Sequence, residues 1–306
     1  MSASPSHAEP IVGTPSKTRE HTRSGDFLSL TKPRLNFLVL LTTLAAYSLG
    51  SDESAALMLL IHTLVGTALV AGGASALNQV WERETDRLMR RTRLRPVANL
   101  RLTSKEAQFF GLALNLLGAA ELWLFVNPLT AIVAAFTSAS YVLFYTPLKT
   151  RSSLSTIVGA LPGALPAVIG WAAATNSLSI EAWVLFAIVF MWQMPHFLAI
   201  AWMYRDEYAA AGIQLLPVIE PDGRSTGRQA VIYTAALIPA SLMPTLVGLA
   251  SPWYLMGAIT LGAVLMLFAV EFSSTRTIDG ARRLFFGSIL YLPLLWTILV
   301  LDHRLH

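Results

Sequence analysis

Residues 78–96 read NQVWERETDRLMRRTRLRP, and within them an amide and two carboxylates, Asn78, Glu82 and Asp86, recur at every fourth position. On an α-helix, which turns about 100° per residue, that spacing stacks three oxygen-bearing side chains on one face. Arg83, Arg87, Arg90 and Arg91 fall mostly away from it. An oxygen-only stripe suits a hard divalent cation. Mg²⁺ in particular takes one or two carboxylates and fills its remaining positions with water and phosphate oxygens, so a diphosphate substrate would complete such a site. The same spacing also suits a solvated helix whose Glu and Arg side chains pair at i,i+4, worth only about 0.2–0.5 kcal/mol per pair. This stretch alone leaves both readings open.

A second acidic place lies in MWQMPHFLAIAWMYRDEYAAAGIQLLPV, residues 191–218. His196 and Glu207 are eleven apart and return to nearly the same helical face, with Asp206 one step round. Pro195 is expected to kink the helix just before His196. An ionisable group inside an apolar span is either a hydrogen-bonded core residue or a functional one. Basic residues flank both places: YTPLKTRSS, residues 145–153, carries Lys149 and Arg151, and TKPRLN, residues 31–36, carries Lys32 and Arg34. Each pair either sets helix orientation or meets an anion held by the acidic helices. In GALPGALPAVIGW, residues 159–171, small residues serve close helix packing or leave room for a bulky substrate.

The elements that must position these residues are membrane spans. Of the 306 residues 54% are hydrophobic and only 13% charged, against about 25% charged in an ordinary soluble domain. The apolar blocks are long enough to cross a hydrocarbon layer, which takes about 20 helical residues. They predict an all-α polytopic membrane protein with nine spans, roughly at 32–50, 55–77, 105–126, 128–147, 154–175, 180–203, 229–250, 253–272 and 284–301. Residues 1–26 are polar and Pro-rich and read as a disordered cytoplasmic tail, leaving 27–306 as the membrane domain. All but Arg304 of the 22 Lys and Arg lie in the tail, at the tail end of the first span, or on or beside the connections after even-numbered spans. That distribution predicts a cytoplasmic N-terminus and an outside C-terminus. It also accounts for the net charge of +4 without nucleic acid. The absence of Cys excludes disulfides and thiolate metal sites.

Together these stretches resemble the UbiA-type membrane prenyltransferases, and within them the branch that farnesylates protoheme. The resemblance runs from TKPR to the last span and rests chiefly on the first and last quoted signatures. It implies a UbiA-like helical bundle, and the want of a clear Arg-rich, acid-poor transit segment in the given sequence favours a plasma (inner) membrane over an organellar one. The implied reaction joins the farnesyl group of farnesyl diphosphate to a vinyl group of heme b, with Mg²⁺ as cofactor. Membrane lipid would surround the protein, and a heme A synthase is an expected acceptor of the product. The implied metal-binding and catalytic set is Asn78, Glu82, Asp86, Asp206 and Glu207, with Glu207 standing where Asp is usual. The implied diphosphate set is Arg34, Arg91, Arg95, Lys149 and Arg151, and the implied heme set is Trp192, Gln193 and His196. A sibling enzyme acting on an aromatic or quinone precursor, or a transporter moving protons through intramembrane His and carboxylates, are the competing readings.

Overall fold

The computed structural model describes residues 22–51 and 57–305. Among them there is no strand. In chain order the helices are α1 (Arg23–Leu30), α2 (Pro33–Gly50), α3 (Leu57–Trp81), α4 (Arg83–Leu88), α5 (Ser104–Phe125), α6 (Pro128–Ala139), α7 (Thr146–Leu148), α8 (Ser155–Thr175), α9 (Ile180–Met203), α10 (Arg205–Ala210), α11 (Leu216–Ile219), α12 (Arg224–Leu246), α13 (Pro252–Thr275) and α14 (Ile278–Leu305). A π-helical turn, Ser140–Tyr145, joins α6 to α7, so Pro128–Leu148 acts as one rod. Eight of these rods are long and apolar enough to cross a membrane. The ninth expected span is α2, 18 residues whose first turn carries Arg34 and Asn36. The protein is a multi-pass membrane protein.

Residues 1–21 of the expected tail lie outside the described residues, as do 52–56, which take in the connection after the first span and the first two residues of the expected second span. The last residues of that tail are helical, because Thr22 caps α1 by accepting a hydrogen bond from the Gly25 amide at 3.2 Å. Elsewhere the helix ends are set by local chemistry. Thr103 and Glu106 form a capping box at the start of α5, and Asn127 caps α6 ahead of Pro128. α9 runs unbroken through Pro195.

The long helices form a closed ring in which each packs on the next: α2, α3, α5, the α6 rod, α8, α9, α12, α13, α14 and back to α2. α8 is the most enclosed, packed on α2, α6 and α9. Lipid is as apolar as Leu, so the helices gain little from hiding Leu and must instead approach closely. α3 and α5 do so through two reciprocal glycine contacts seven residues apart, Gly66 on Gly118 and Gly73 on Gly111. A Cβ on Gly73 would lie 2.6 Å from the Gly111 carbonyl oxygen and 2.3 Å from Asn115 Nδ2. We therefore expect Gly73→Ala to force these backbones apart at a cost of about 1–3 kcal/mol. The check is the thermal unfolding midpoint in detergent, which should fall; an unchanged midpoint would show that the pair tolerates separation.

Candidate active site

The acidic stripe is helical although α3 and α4 are assigned separately. Glu82 sits between them at φ −86°, ψ 6°, yet its amide donates to the Asn78 carbonyl at 2.9 Å and the Asp86 amide donates to the Glu82 carbonyl at 2.8 Å. The i→i−4 ladder therefore carries through the junction. Asn78, Glu82 and Asp86 are buried, whereas Arg83, Glu84, Arg87 and Arg90 are exposed. The two faces are as segregated as the spacing predicts.

Three cations converge on that buried face. Lys32 Nζ donates to Asn78 Oδ1 at 2.7 Å, Lys149 Nζ donates to Glu82 Oε1 at 2.7 Å, and Arg95 Nη1 donates to both Asp86 oxygens at 2.8 Å while standing 3.8 Å from Glu82 Oε2. Against two carboxylates the cluster holds one cation in excess. Burial alone would disfavour every charge here, so neighbours decide the outcome. It pushes the Asp86 carboxyl up, and Arg95 offsets this only in part. It acts against Glu82 as well, but Lys149, Lys32 and Arg95 together outweigh it and hold that carboxyl below its usual range. Lys149 stays well above the ordinary lysine value despite burial, chiefly because of Glu82. Lys32 has a neutral amide for its partner. Burial, followed by repulsion from Arg95 and Lys149, lowers it to about 7.

Local structure explains how each cation arrives. Lys32 precedes Pro33, whose ring disfavours a helical conformation one residue earlier. Lys32 adopts the left-handed region, φ 48°, ψ 62°, between α1 and α2. Such strain in a non-glycine residue persists where the surroundings over-determine it, here by the Asn78 contact and by Gln79 Nε2 donating to the Leu30 carbonyl at 3.0 Å. Arg95 sits in a latched loop. Arg101 Nε donates to Asp26 of α1 at 2.9 Å, and its Nη2 donates to the Leu94 carbonyl at 3.0 Å, next to Arg95. Thr92 Oγ1 closes the same loop on the Asp86 carbonyl at 3.0 Å. The π turn delivers the third set: Thr146 Oγ1 donates to the Tyr141 carbonyl at 2.8 Å and accepts from Asn78 Nδ2 at 3.2 Å. One turn on, Lys149 lies 4.4 Å above the Tyr145 ring.

The remaining sequence candidates separate. Glu207 lies near the first motif's loop, its Oε2 accepting from the Arg91 amide at 3.4 Å. Arg91 itself turns to α10, donating to Tyr208 OH at 3.1 Å and covering the Tyr204 ring at 5.3 Å. Asp206 points outward, its side chain 96% exposed and, among the described residues, paired only with Arg205 at 3.7 Å. Arg34 and Arg151 are exposed and make no side-chain hydrogen bond among the described residues, so at the start of α2 it is Lys32 rather than Arg34 that reaches the stripe. Among the described residues no three His, Asp or Glu are already gathered as a metal cage.

Deeper in α9, His196 Nδ1 lies 2.8 Å from Ser288 Oγ, and Trp192 Nε1 donates to the Ser288 carbonyl at 2.7 Å. Gln193 is turned into the α8 contact, where Nε2 donates to the Ala160 and Val189 carbonyls at 3.1 Å. The glycines of α8 serve close packing: a Cβ on Gly163 would sit 1.9 Å from Gln193 Oε1, and one on Gly159 would sit 2.4 Å from the Tyr145 ring. The sequence reading missed Thr146, Tyr145 and Ser288. Tyr145 and Thr146 stood in YTPLK, but nothing in a sequence pattern marks a π turn.

A membrane bundle that buries carboxylates under lysine and arginine at one mouth, with a histidine deeper inside, has the form of an enzyme handling a charged head and an apolar body. The chain belongs to the UbiA prenyltransferase family, whose model matches residues 39–292. Within that family its similarity runs to the protoheme IX farnesyltransferases. The protein of that name from Solibacter usitatus is 49% identical over 90% of this chain and 98% of its own length. Those from Koribacter versatilis and Aquifex aeolicus are 42% and 38% identical, over 92% and 90% of this chain and 94% of each of their own. Among solved structures, a digeranylgeranylglyceryl phosphate synthase superposes with a TM-score of 0.78 at 14% identity, over 92% of this chain and 98% of its own. A UbiA homolog from Archaeoglobus fulgidus bound to DMAPP and Mg²⁺ superposes with a TM-score of 0.65 at 15% identity, over 90% and 99%. At those identities the superpositions establish the shared fold.

Removing one member of a buried charge pair costs about 3–5 kcal/mol when the survivor is left uncompensated. Without Lys149, Glu82 would lose its hydrogen-bonded partner but keep Arg95 at 3.8 Å, so a smaller loss is expected. Lys149→Met is accordingly expected to lower the unfolding midpoint, and adding Glu82→Gln in the same chain to recover most of the loss. Equal losses in the single and double variants would show that the two residues are not coupled.

Proposed function

We infer that the protein transfers the farnesyl group of farnesyl diphosphate to a vinyl group of heme b, giving heme O and diphosphate. The observation that carries the site reading is the buried cluster with its excess cation, which suits a diphosphate. The bond between the farnesyl C1 and the diphosphate oxygen breaks, a carbon–carbon bond forms between C1 and the vinyl terminus, and water adds to the adjacent carbon with loss of a proton. Lys32, Arg95 and Lys149 bind the diphosphate and stabilise the negative charge that grows on it as it departs.

Asn78, Glu82 and Asp86, with Glu207 from α10, are suited to hold Mg²⁺. Their oxygen-only chemistry fits, and the fit has a stand-in: a single cationic nitrogen, Arg95 Nη1, lies 2.8 Å from Asp86 and 3.8 Å from Glu82. When bound, the ion would supply further positive charge at the diphosphate oxygens. Asp206 faces solvent and would need to turn inward to join this set. The spans exclude water from the allylic cation until the vinyl group captures it. Heme b meets α9 at His196 and Trp192, with Gln193 fixing the helix behind them. The basic mouth faces the cytoplasm in a plasma (inner) membrane, and heme O passes on to a heme A synthase.

The test is conversion of heme b and farnesyl diphosphate to heme O by the purified protein, resolved by mass, with Mg²⁺ and with chelator. Heme O is expected only with the metal. Asp86→Asn is expected to lower turnover at least about 100-fold while heme binding persists. Farnesylation of an aromatic acid in place of heme would overturn this reading, and near-wild-type turnover by Asp86→Asn would remove the stripe from it.

A further inference from the structure

His196 is held by more contacts than packing alone would require. Its ring stacks on Trp192, with centroids 5.1 Å apart and planes inclined 22°, and on Phe285 of α14 at 4.9 Å and 29°. These contacts set the plane of the imidazole. The hydrogen bond to Ser288 Oγ, 2.8 Å from Nδ1, sets which edge faces α14. Ser288 is fully buried, and its hydroxyl donates to the Phe285 carbonyl one turn back at 2.7 Å.

A serine hydroxyl has one proton and two acceptor lone pairs. With the proton directed at Phe285, Oγ can only accept from the histidine, so Nδ1 must carry hydrogen. In a neutral imidazole the other nitrogen, Nε2, then keeps its lone pair. Nε2 has no hydrogen-bond partner among the described residues, and His196 is not fully enclosed. Trp192 Nε1, bound to the Ser288 carbonyl at 2.7 Å, ties the same residue to α9 a second time. With the hydroxyl proton on Phe285, one serine on α14 would fix both tautomer and orientation for a histidine seven residues, about 10 Å, from the end of α9.

We propose that Ser288 is a positioning residue that locks His196 as the Nδ1–H tautomer, presenting the Nε2 lone pair as an axial ligand to the iron of the heme substrate. This rests on the reading of His196 as a heme contact given above. Histidine ligands commonly donate their second N–H to a fixed acceptor, which orients the ring and raises its basicity, and loss of that acceptor typically costs about 10–100-fold in metal affinity. With the iron tethered to α9, the periphery of the ring is free to bring a vinyl group toward the diphosphate mouth. No electron transfer is involved, because the lone pair is donated to iron without change of oxidation state.

The experiment uses the full chain in detergent. ¹⁵N-histidine spectra, with the His196 signals assigned by difference from His196→Ala, report the tautomer without heme. Titrations with heme b, and with iron-free protoporphyrin IX as control, report ligation through the absorption spectrum and affinity. The wild type is expected to show a protonated Nδ1 and a bare Nε2, and a spectral shift on binding heme b that His196→Ala abolishes. Ser288→Ala is expected to lose the single tautomer and about 10-fold in heme b affinity, with protoporphyrin IX and farnesyl diphosphate affinities unchanged. Ser288→Thr, which keeps the hydroxyl, is expected to restore both. A wild-type spectrum with Nε2 protonated, or a Ser288→Ala spectrum identical to wild type, overturns the role of Ser288. If the tautomer is as expected but His196→Ala binds heme b with unaltered spectrum and affinity, the iron assignment is overturned and the heme reading of His196 falls with it.

Discussion

Two buried carboxylates and the three half-buried cations gathered on them at the mouth of an apolar bundle are the constraint on which the rest of the structure depends. Each charge would be costly there alone, and a buried pair is tolerated only where geometry is good and the remaining polar atoms are satisfied. The surrounding features serve that requirement. A left-handed Lys32, a loop latched by Arg101 and Asp26, and a π turn ahead of Thr146 each bring a polar group to the acidic stripe at hydrogen-bond distance. The extra cation is left with a neutral amide as its partner. A cluster in that state gains stability when an anion arrives.

The second feature is a division of labour along α9 and its extension. At the mouth, Glu207 of α10 approaches the loop that follows the acidic stripe. Deeper in, Trp192 and His196 turn toward α14 and share Ser288. A prenyl diphosphate and a heme would thus meet the protein at different depths, with reacting carbons between them. Close packing of α8, whose glycines seat Tyr145 and Gln193, keeps the two regions in fixed relation.

Much of this was legible in the sequence, for identifiable reasons. The i,i+4 spacing of Asn78, Glu82 and Asp86 gave their common face, because a helical ladder that carries through Glu82 preserves the rotation per residue. The span positions followed from hydropathy, with α2 the marginal case since Arg34 and Asn36 fall in its first turn. Side-chain direction was less legible. Arg34 and Lys32 are two residues apart on either side of Pro33, and only the left-handed backbone at Lys32 decides which one turns inward. Asp206 and Glu207 are adjacent, yet one faces solvent and the other the loop. Ser288 carried no signal, because its role depends on α14 packing against α9, some ninety residues away along the chain.

The central claim is that the excess cation of the cluster receives the diphosphate. Its most direct test is the affinity of purified protein for farnesyl diphosphate and for heme b in Lys32→Gln, measured by titration with Mg²⁺ present. Lys32 makes no ion pair among the described residues and holds only the Asn78 amide, so the variant leaves no carboxylate stranded. The account predicts a loss of about 10-fold or more in farnesyl diphosphate affinity, as fits one lost charge-assisted contact, with heme b affinity unchanged. Unchanged farnesyl diphosphate affinity, or an equal loss for both substrates, would contradict it.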